Sequence, residues 1–171
     1  LVETNQELSV KFINQLSKAY RYILEKSVYD SIKLATEIEF LETYMFLLMI
    51  RFENKLSLDI RISCQEKDKY SIVPLTLQLL VENAVKHNIV VQSRPLQVLI
   101  YTDENANLVV ENNLQKKTSM TYSSKRGLSN VIAKYKILTE QRIDIEETRE
   151  YFRVAVPLIR NKSYAGIDHR R

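Results

Sequence analysis

Glycine and cysteine are both scarce in this sequence. The 171 residues include two glycines, Gly127 and Gly166. Any loop or nucleotide-binding motif that needs several glycines therefore cannot be intact. The one cysteine, Cys64, excludes an internal disulfide and a cysteine-rich metal site. A reducing, cytoplasmic compartment is the setting we expect.

Long apolar runs and strong charge are also missing. No run approaches the roughly 20 apolar residues that a membrane-spanning helix needs, and the start of the chain lacks the regions of a signal peptide. The first residue is Leu1 rather than methionine, so we expect a piece of a longer protein. The net charge of +4, with a pI near 9.1, is mild. A nucleic-acid binder usually clusters its charge more strongly, so we expect no direct nucleic-acid partner.

Apolar residues make up 45% of the chain, which is enough for a real core. Their spacing every three or four residues predicts helices at 4 to 26 and at 34 to 53. Strict alternation from Leu56 to Ser63 predicts a half-buried strand. The other predicted elements are a polar loop at 65 to 70, a helix from Pro74, strands at 96 to 102 and 107 to 112, a mobile loop at 113 to 126, a helix at 127 to 139 and a closing strand pair with a turn at 148 to 150.

This order of elements favours an α+β fold. Grouped strands with helices between them suggest a two-layer α/β sandwich, in which helices cover one face of a mixed, mostly antiparallel sheet. The two long helices at the start would precede that sandwich. The sequence contains no internal repeat that would suggest another architecture.

One predicted helix, at residues 74 to 90, combines an apolar face with crowded polar groups. At about 100° per residue, Gln78 and Lys86 flank Glu82, and Asn83 lies about 100° away. A solvated face with an ion pair between Glu82 and Lys86, worth about 0.2–0.5 kcal/mol, is one explanation. Asparagine is a poor helix-interior residue, so Asn83 favours a ligand or a cap instead. The buried face is expected from Leu77, Leu80, Val81, Ala84 and Val85.

Five segments, in order, resemble those of one family. Residues 80 to 89, LVENAVKHNI, resemble the N box of the GHKL ATPases, and more closely that of the LytS/YehU-like sensor histidine kinases. The order and spacing match that family over about residues 8 to 158. The segments are FINQLSKAYRYIL, EIEFLETYMFLLMIRFENKLSLDI, VPLTLQLLVENAVKHNI, RGLSNVIAKYKIL and YFRVAVPL.

The resemblance implies both a fold and a function. The fold would be the GHKL, or Bergerat, sandwich behind two helices of the histidine-kinase type. The cofactors would be ATP and Mg²⁺, and the reaction would be phosphoryl transfer to a histidine and then to a response regulator, commonly of the LytTR type. The family also implies a homodimer through the N-terminal helices. The parent protein would be anchored in the inner membrane, with this chain as a cytoplasmic domain.

The N box assigns roles to four residues. Asn83 would bind the Mg²⁺ that bridges the nucleotide phosphates, because an amide oxygen is a suitable hard ligand. Glu82 would hold or polarise a water, or act as a base toward the accepting histidine. Lys86 and His87 would lie near phosphate oxygens, although His87 could instead cap the end of its helix.

A second segment, residues 125 to 130, would complete the phosphate site. Gly127 would lie at a helix start below the triphosphate, where free backbone N–H groups favour anions. The polar loop before it would be the ATP lid. The cofactor-binding candidates of this segment are Lys125, Arg126, Gly127, Leu128 and Asn130.

The sequence departs from the family pattern at three positions. Asn112 stands where an aspartate normally accepts a hydrogen bond from the adenine amino group, and its neutral bond should be weaker. Leu114 replaces a glycine, and it suits a positive φ poorly. Lys125 replaces the first glycine of the second glycine box, where it would either add a phosphate contact or block the approach of the backbone.

The phosphoacceptor histidine of the family is missing, since neither His87 nor His169 lies in a segment like Pro-His-Phe. We expect the sequence to begin just after that segment, and the fragment to be inactive alone. Residues 1 to 53 would be the remaining dimerisation and phosphotransfer helices, residues 54 to 160 the ATP-binding catalytic domain, and residues 161 to 171 a flexible tail. The apolar stripe of the two helices would pack on the sheet or form half of a dimer seam.

Three functions remain in competition. The first is the kinase portion of a two-component sensor histidine kinase. The second is a degenerate GHKL module with weak or no ATP turnover that acts in dimerisation or regulation, as the altered boxes suggest. The third is another GHKL protein, such as an anti-sigma kinase or a chaperone-type ATPase. The segments LSKAYRYIL and YMFLLMIRF argue against the third, because they resemble the histidine-kinase helices.

Overall fold

The computed structural model describes residues 5–117, 125–139 and 141–161. Two long helices come first: α1 spans Gln6–Lys26 and α2 spans Leu34–Phe52, which confirms both predicted helices. They form a hairpin in which the ring of Tyr22 on α1 stacks on that of Phe40 on α2, with 3.9 Å between centroids. None of the described helices is long and apolar enough to cross a membrane.

The remaining elements form two sheets and three further helices. The strands are β1 (Ile32–Lys33), β2 (Leu56–Arg61), β3 (Tyr70–Ile72), β4 (Leu96–Thr102), β5 (Asn107–Asn113), β6 (Asp144–Glu147), β7 (Tyr151–Pro157) and β8 (Ile159–Arg160). The helices are α3 (Cys64–Lys69), α4 (Thr76–His87) and α5 (Lys125–Thr139). The main sheet has the order β2-β4-β5-β7-β6, and a small sheet has the order β1-β3-β8.

The main sheet is mixed and mostly antiparallel. Strand β2 runs parallel to β4, with Leu56 opposite Leu96, whereas β4, β5, β7 and β6 pair antiparallel. A parallel pair needs a crossover, and here α3, β3 and α4 lie between β2 and β4 in the chain. Because this crossover from β2 to β4 contains α4, it places α4 against the sheet.

One face of the main sheet forms the core. Alternate residues of the central strands, such as Val98, Ile100 and Val110, are buried, whereas Gln97 on the opposite face is exposed. Side chains from α2, α4 and α5 complete the same apolar cluster. Helices thus cover one face of the sheet, which confirms the predicted two-layer α+β sandwich behind two helices.

The hairpin helices use their apolar residues differently. On α2, Ile38, Leu41 and Met45 are buried in the core cluster, so its stripe packs on the sheet domain. On α1, the predicted stripe is exposed; Tyr20 retains 66% of its surface and Leu24 retains 68%. Core packing therefore accounts for the stripe of α2, and the stripe of α1 lies open.

The predicted polar loop at residues 65 to 70 is wrong, because this segment forms α3 and the start of β3. Ser63 caps α3: its hydroxyl accepts from the Glu66 backbone N–H at 3.3 Å, and the Glu66 carboxylate accepts from the Ser63 N–H at 2.9 Å. This capping box stabilises a helix that lacks a buried face. The strand predicted at 56 to 63 ends at Arg61, because Ser63 already caps the helix that follows.

The predicted loop at residues 113 to 126 is also shorter than expected. Asn113 ends β5, and Lys125 and Arg126 already belong to α5. Gln115 is buried, and its carbonyl accepts a hydrogen bond from the Ile89 N–H at 2.8 Å. The start of the loop is therefore held against the end of α4, and the centre of the predicted lid, residues 118–124, lies outside the described residues.

Candidate functional site

Helix α4 carries the N-box residues and is set into the core along one face. Leu77, Leu80, Val81 and Ala84 are buried, as predicted, whereas Val85 is half-buried at the edge of the core cluster. The helix begins at Thr76, and its N-cap residue, Leu75, adopts a left-handed conformation with φ of 66°. Its buried face fixes the direction in which the polar residues project.

The polar residues of α4 lie on two flanks. Gln78 is half-buried and Glu82 is exposed, and both face α2, where they lie near the Tyr44 hydroxyl. Burial and then the nearby Glu82 carboxylate raise the pKa of Tyr44 to about 12. Asn83 is half-buried and lies about 140° around the helix from Gln78, on the flank away from α2. The acid and the amide therefore face different neighbours.

The end of α4 is capped by residues that the sequence interpretation did not select. The Asn88 side chain donates from Nδ2 to the Ala84 carbonyl at 2.8 Å, and its Oδ1 accepts from the Gln115 N–H at 2.6 Å. The Lys117 ammonium donates to the carbonyls of Val85 and Lys86 at 3.1 and 3.0 Å. Because these groups satisfy the terminal carbonyls, the imidazole of His87 is not needed as a cap.

Three basic side chains cluster at this end of α4. Partial burial and the charges of Lys86 and Lys117 lower the pKa of His87 from its usual 6.5. A lowered histidine pKa shows that added positive charge is unfavourable here. An anion such as a phosphate would relieve that repulsion. The cluster of Lys86, His87 and Lys117, one turn from Asn83, is called the cationic end of α4 below.

Asn112, the expected adenine residue, lies on the helix-facing side of the sheet. It is 4% exposed on β5, opposite Val98 on β4 and Phe152 on β7. Its Nδ2 donates to the Asn113 carbonyl at 2.8 Å. The amide thus lies on the inner surface of the sheet, where it offers a neutral acceptor oxygen.

Leu114 does not need the conformation that glycine allows. The described non-glycine residues with positive φ are Glu53, Leu75 and Ala106. Leu114 instead continues from β5, and its N–H donates to the Glu150 carbonyl at 2.7 Å. The expected clash between a leucine side chain and a positive φ therefore does not arise, and the loss of this glycine leaves the backbone unstrained.

The second candidate segment opens α5. Among the described residues this helix begins at Lys125, so its first described turn includes Gly127. The first backbone N–H groups of any α-helix lack a partner within that helix. Asn130 is exposed in the second turn. Helix α5 is anchored by Tyr135, which is fully buried and accepts from the Val73 N–H at 3.4 Å.

A magnesium ion in this region would have few protein ligands. In the described ranges, no group of three or more His, Cys, Asp or Glu side chains is placed to hold a metal. Mg²⁺ commonly takes one or two protein oxygens and completes its shell with waters and phosphate oxygens. The single half-buried amide of Asn83 beside a cationic surface therefore fits an ion that arrives with a nucleotide.

The residues that the sequence interpretation missed act through distant contacts. None of Lys117, Asn88 and Gln115 was selected from the sequence. Asn88 lies within the segment that resembles the N box, and its position just after a helix is a typical cap signal. The other two become recognisable only when the chain after β5 folds back onto the end of α4.

Comparison with known proteins gives matches to kinases. Residues 1–56 match the family model described as histidine kinase. The sensor protein kinase HptS of Staphylococcus aureus strain USA300 is 28% identical over 132 residues, which cover 76% of this chain and 25% of HptS. HptS of strain NCTC 8325 / PS 47 gives the same values. The chain thus spans about a quarter of the length of these relatives.

Two solved structures resemble the fold more distantly. The histidine kinase AdeS of Acinetobacter baumannii is 13% identical, with a TM-score of 0.45 over 86% of this chain and 76% of AdeS. The blue-light activated histidine kinase EL346 of Erythrobacter litoralis is 11% identical, with a TM-score of 0.48 over 86% of this chain and 53% of EL346. Both TM-scores lie below 0.5, so nothing about the site is inferred from them.

Proposed function

We propose that this chain, which is related to the sensor histidine kinases, is the portion of such a kinase that binds Mg·ATP for phosphoryl transfer to a histidine. The observation that carries the proposal is the juxtaposition on α4 of a half-buried Asn83 and the cationic end. An amide oxygen for the metal and cations for the phosphates are the groups that phosphoryl transfer requires.

In this proposal each group has one task. Asn83 binds the magnesium ion, which neutralises charge on the phosphate oxygens. Lys86, His87 and Lys117 hold the phosphates, and the first turn of α5 adds backbone N–H donors. Glu82, exposed on the flank near α2, polarises a water or accepts the proton of the attacking histidine. Asn112 accepts the adenine amino group.

The proposed domains follow from these tasks. Residues 1–53 form the remaining dimerisation and phosphotransfer helices, and residues 54–160 form the ATP-binding domain. Neither His87 nor His169 has the sequence context of an acceptor, so we propose that another part of the whole protein contributes it. The chain alone would then not label itself.

The exposed stripe of α1 supports the proposed homodimer. Val10, Ile13, Leu16, Tyr20 and Leu24 are all more than two-fifths exposed, at spacings that place them on one side of the helix. A second copy would cover this apolar surface. The proposed downstream partner is a response regulator, of the LytTR type. The whole protein is proposed to be membrane-anchored, with this chain in the cytoplasm.

One observation favours a second candidate, a degenerate module without turnover. The family's adenine aspartate is Asn112 here, and a neutral acceptor binds more weakly than a charged one. The replacement of the family's glycine by Leu114 gives that candidate no further support, because the backbone at Leu114 is unstrained. A measurement of Mg·ATP binding separates the two functions, because the kinase portion should bind it and the degenerate module should bind it weakly or not at all.

Proton uptake on nucleotide binding tests the proposal. Burial and the charges of Lys86 and Lys117 lower the pKa of His87 and so disfavour its protonated form in the free chain. A phosphate anion beside it would raise that pKa, so binding should take up a fraction of a proton at about pH 6.5 and little at about pH 8. Calorimetric titration with Mg·ATP in buffers of different ionisation enthalpy measures this uptake.

Two variants control for other titrating groups. His87→Gln should bind Mg·ATP more weakly and lose the uptake, whereas His169→Gln should retain it. Absence of any Mg·ATP binding would support the degenerate module. Equal uptake by the unmodified chain and His87→Gln would show that the phosphates do not lie beside this imidazole.

A further inference from the structure

A buried carboxylate, Glu37, joins the helical hairpin to the helix that carries the N box. It lies on α2 and is 0% exposed, a rare state for an acid unless its charge is satisfied. Three donors satisfy it: the Tyr22 hydroxyl at 2.6 Å, the Leu75 N–H at 3.1 Å and the Leu77 N–H at 3.0 Å. All three donate, as suits a carboxylate that can only accept.

Helix α4 has no cap of its own, and Glu37 supplies one. The N-cap residue is Leu75, whose apolar side chain makes no capping hydrogen bond. Glu37 Oε2 accepts from the N–H of Leu75, and Oε1 accepts from that of Leu77. A side-chain oxygen that accepts from the second helical N–H is the usual N-cap interaction. The negative charge also lies at the positive end of the helix dipole.

Both hairpin helices take part in this contact. Tyr22 comes from α1, and it donates to the same Oε2 that accepts from Leu75. Its ring is held by the stack on Phe40 of α2. Burial raises the pKa of the Glu37 carboxyl, and the three hydrogen bonds oppose that rise. One carboxylate thus ties α1, α2 and the first turn of α4 together.

The same helix, α4, carries the candidate chemistry. Asn83 lies six residues beyond Leu77, about 9 Å along a rigid helix. Further along the same interface, Gln78 and Glu82 meet Tyr44 of α2. A shift of the start of α4 against α2 would therefore move Glu82 relative to the hairpin.

We propose that Glu37 is a positioning residue, which sets α4, and with it Glu82, in register with the α1–α2 hairpin for phosphoryl transfer. This rests on the proposed function. The proposed nucleotide contacts lie on α4, on α5 and at Asn112 and Lys117, and none lies on the hairpin, so the loss of Glu37 should affect the transfer step more than Mg·ATP affinity. An apolar side chain could fill the same volume, but only an acceptor pairs these three donors.

The test compares Glu37→Gln with Glu39→Gln, an exposed acid on the same helix. Glutamine keeps the size of Glu37, but its NH₂ group must face one of the three donors. In the whole protein, Glu37→Gln should transfer phosphate at least about tenfold more slowly at saturating Mg·ATP, with KM changed less than about threefold. Glu39→Gln should match the unmodified protein in both constants.

Amide hydrogen exchange supplies a readout that does not depend on the reaction. Glu37→Gln should exchange faster at Leu75 and Leu77 and at unchanged rates in β4 and β5. Wild-type exchange there would refute the cap. Fast exchange with undiminished transfer would refute the positioning role. Failure of the unmodified chain to bind Mg·ATP would instead overturn the proposed function and leave the exchange result valid.

A milder variant guards against misfolding of Glu37→Gln. Tyr22→Phe removes one donor and keeps the ring that stacks on Phe40. It should reduce transfer in the same direction by about threefold, with KM unchanged. A transfer rate equal to that of the unmodified protein would contradict the inferred link between α1 and α4.

Discussion

Asn83→Ala is expected to lose at least about 100-fold in Mg·ATP affinity, since even an outer-shell partner of a metal commonly contributes 10–100-fold. The proposal gives Asn83 the one protein oxygen on the metal, and alanine offers none. The fold should not suffer. Alanine is a better helix former than asparagine by up to about 0.7 kcal/mol, so the melting temperature should stay constant or rise slightly. A loss of Mg·ATP affinity without a loss of stability is the result expected for a residue that binds the metal ion.

Calorimetry and thermal unfolding on the same samples check this expectation. Gln78→Ala is the matched control, because Gln78 is also a half-buried amide on α4 but faces Tyr44 on the other flank. It should bind Mg·ATP normally. If Asn83→Ala retained full affinity, or if Gln78→Ala lost as much, the metal ligand would have to be sought elsewhere.

Glu82→Gln is expected to block phosphoryl transfer while Mg·ATP still binds. General acid–base assistance is commonly worth about 10²–10⁴ in rate, and a glutamine cannot take a proton. Because Glu82 is exposed and lies on the flank away from Asn83, its loss should change affinity less than about threefold. Transfer is measured from the whole protein, with labelled ATP.

A spectroscopic control shows that the variant is folded as intended. The Glu82 carboxylate helps to raise the pKa of Tyr44 to about 12. The neutral amide of the Glu82→Gln variant should therefore let Tyr44 ionise at a lower pH, measured as phenolate absorbance against a Tyr44→Phe reference. Transfer at the rate of the unmodified protein, together with the lowered Tyr44 pKa, would exclude Glu82 as the base.

Much of the fold could be predicted from the sequence because its long elements have a clear period. The apolar spacing of α2 and the alternation of β2 each reflect one buried face. The short elements have no such period. Helix α3 buries no residue and so shows no apolar period. Its capping box, Ser63 and Glu66, is the one signal in the sequence that could have predicted it. Strands β1, β3 and β8 are two or three residues long and exist through pairing alone.

The candidate site divides in the same way. The polar face of α4 could be predicted from helical geometry, and so could the placement of Gly127 in a helix start. The contacts of Glu37 with α4 and of Lys117 with the end of α4 could not, because they join residues more than 30 positions apart. No local pattern shows which acid will be buried, and Glu37 in the sequence resembles Glu39 and Glu42.

Mapping of amide chemical shifts on addition of magnesium and a non-hydrolysable ATP analogue tests the central claim most directly. We expect nucleotide to bind where Asn83, the cationic end of α4 and the first turn of α5 meet the inner face of the sheet. The largest shifts should then occur at Asn83, His87, Asn112 and Gly127. Shifts confined to the open face of the sheet, around Gln97, Glu111 and Tyr151, or none at saturating analogue, would contradict it.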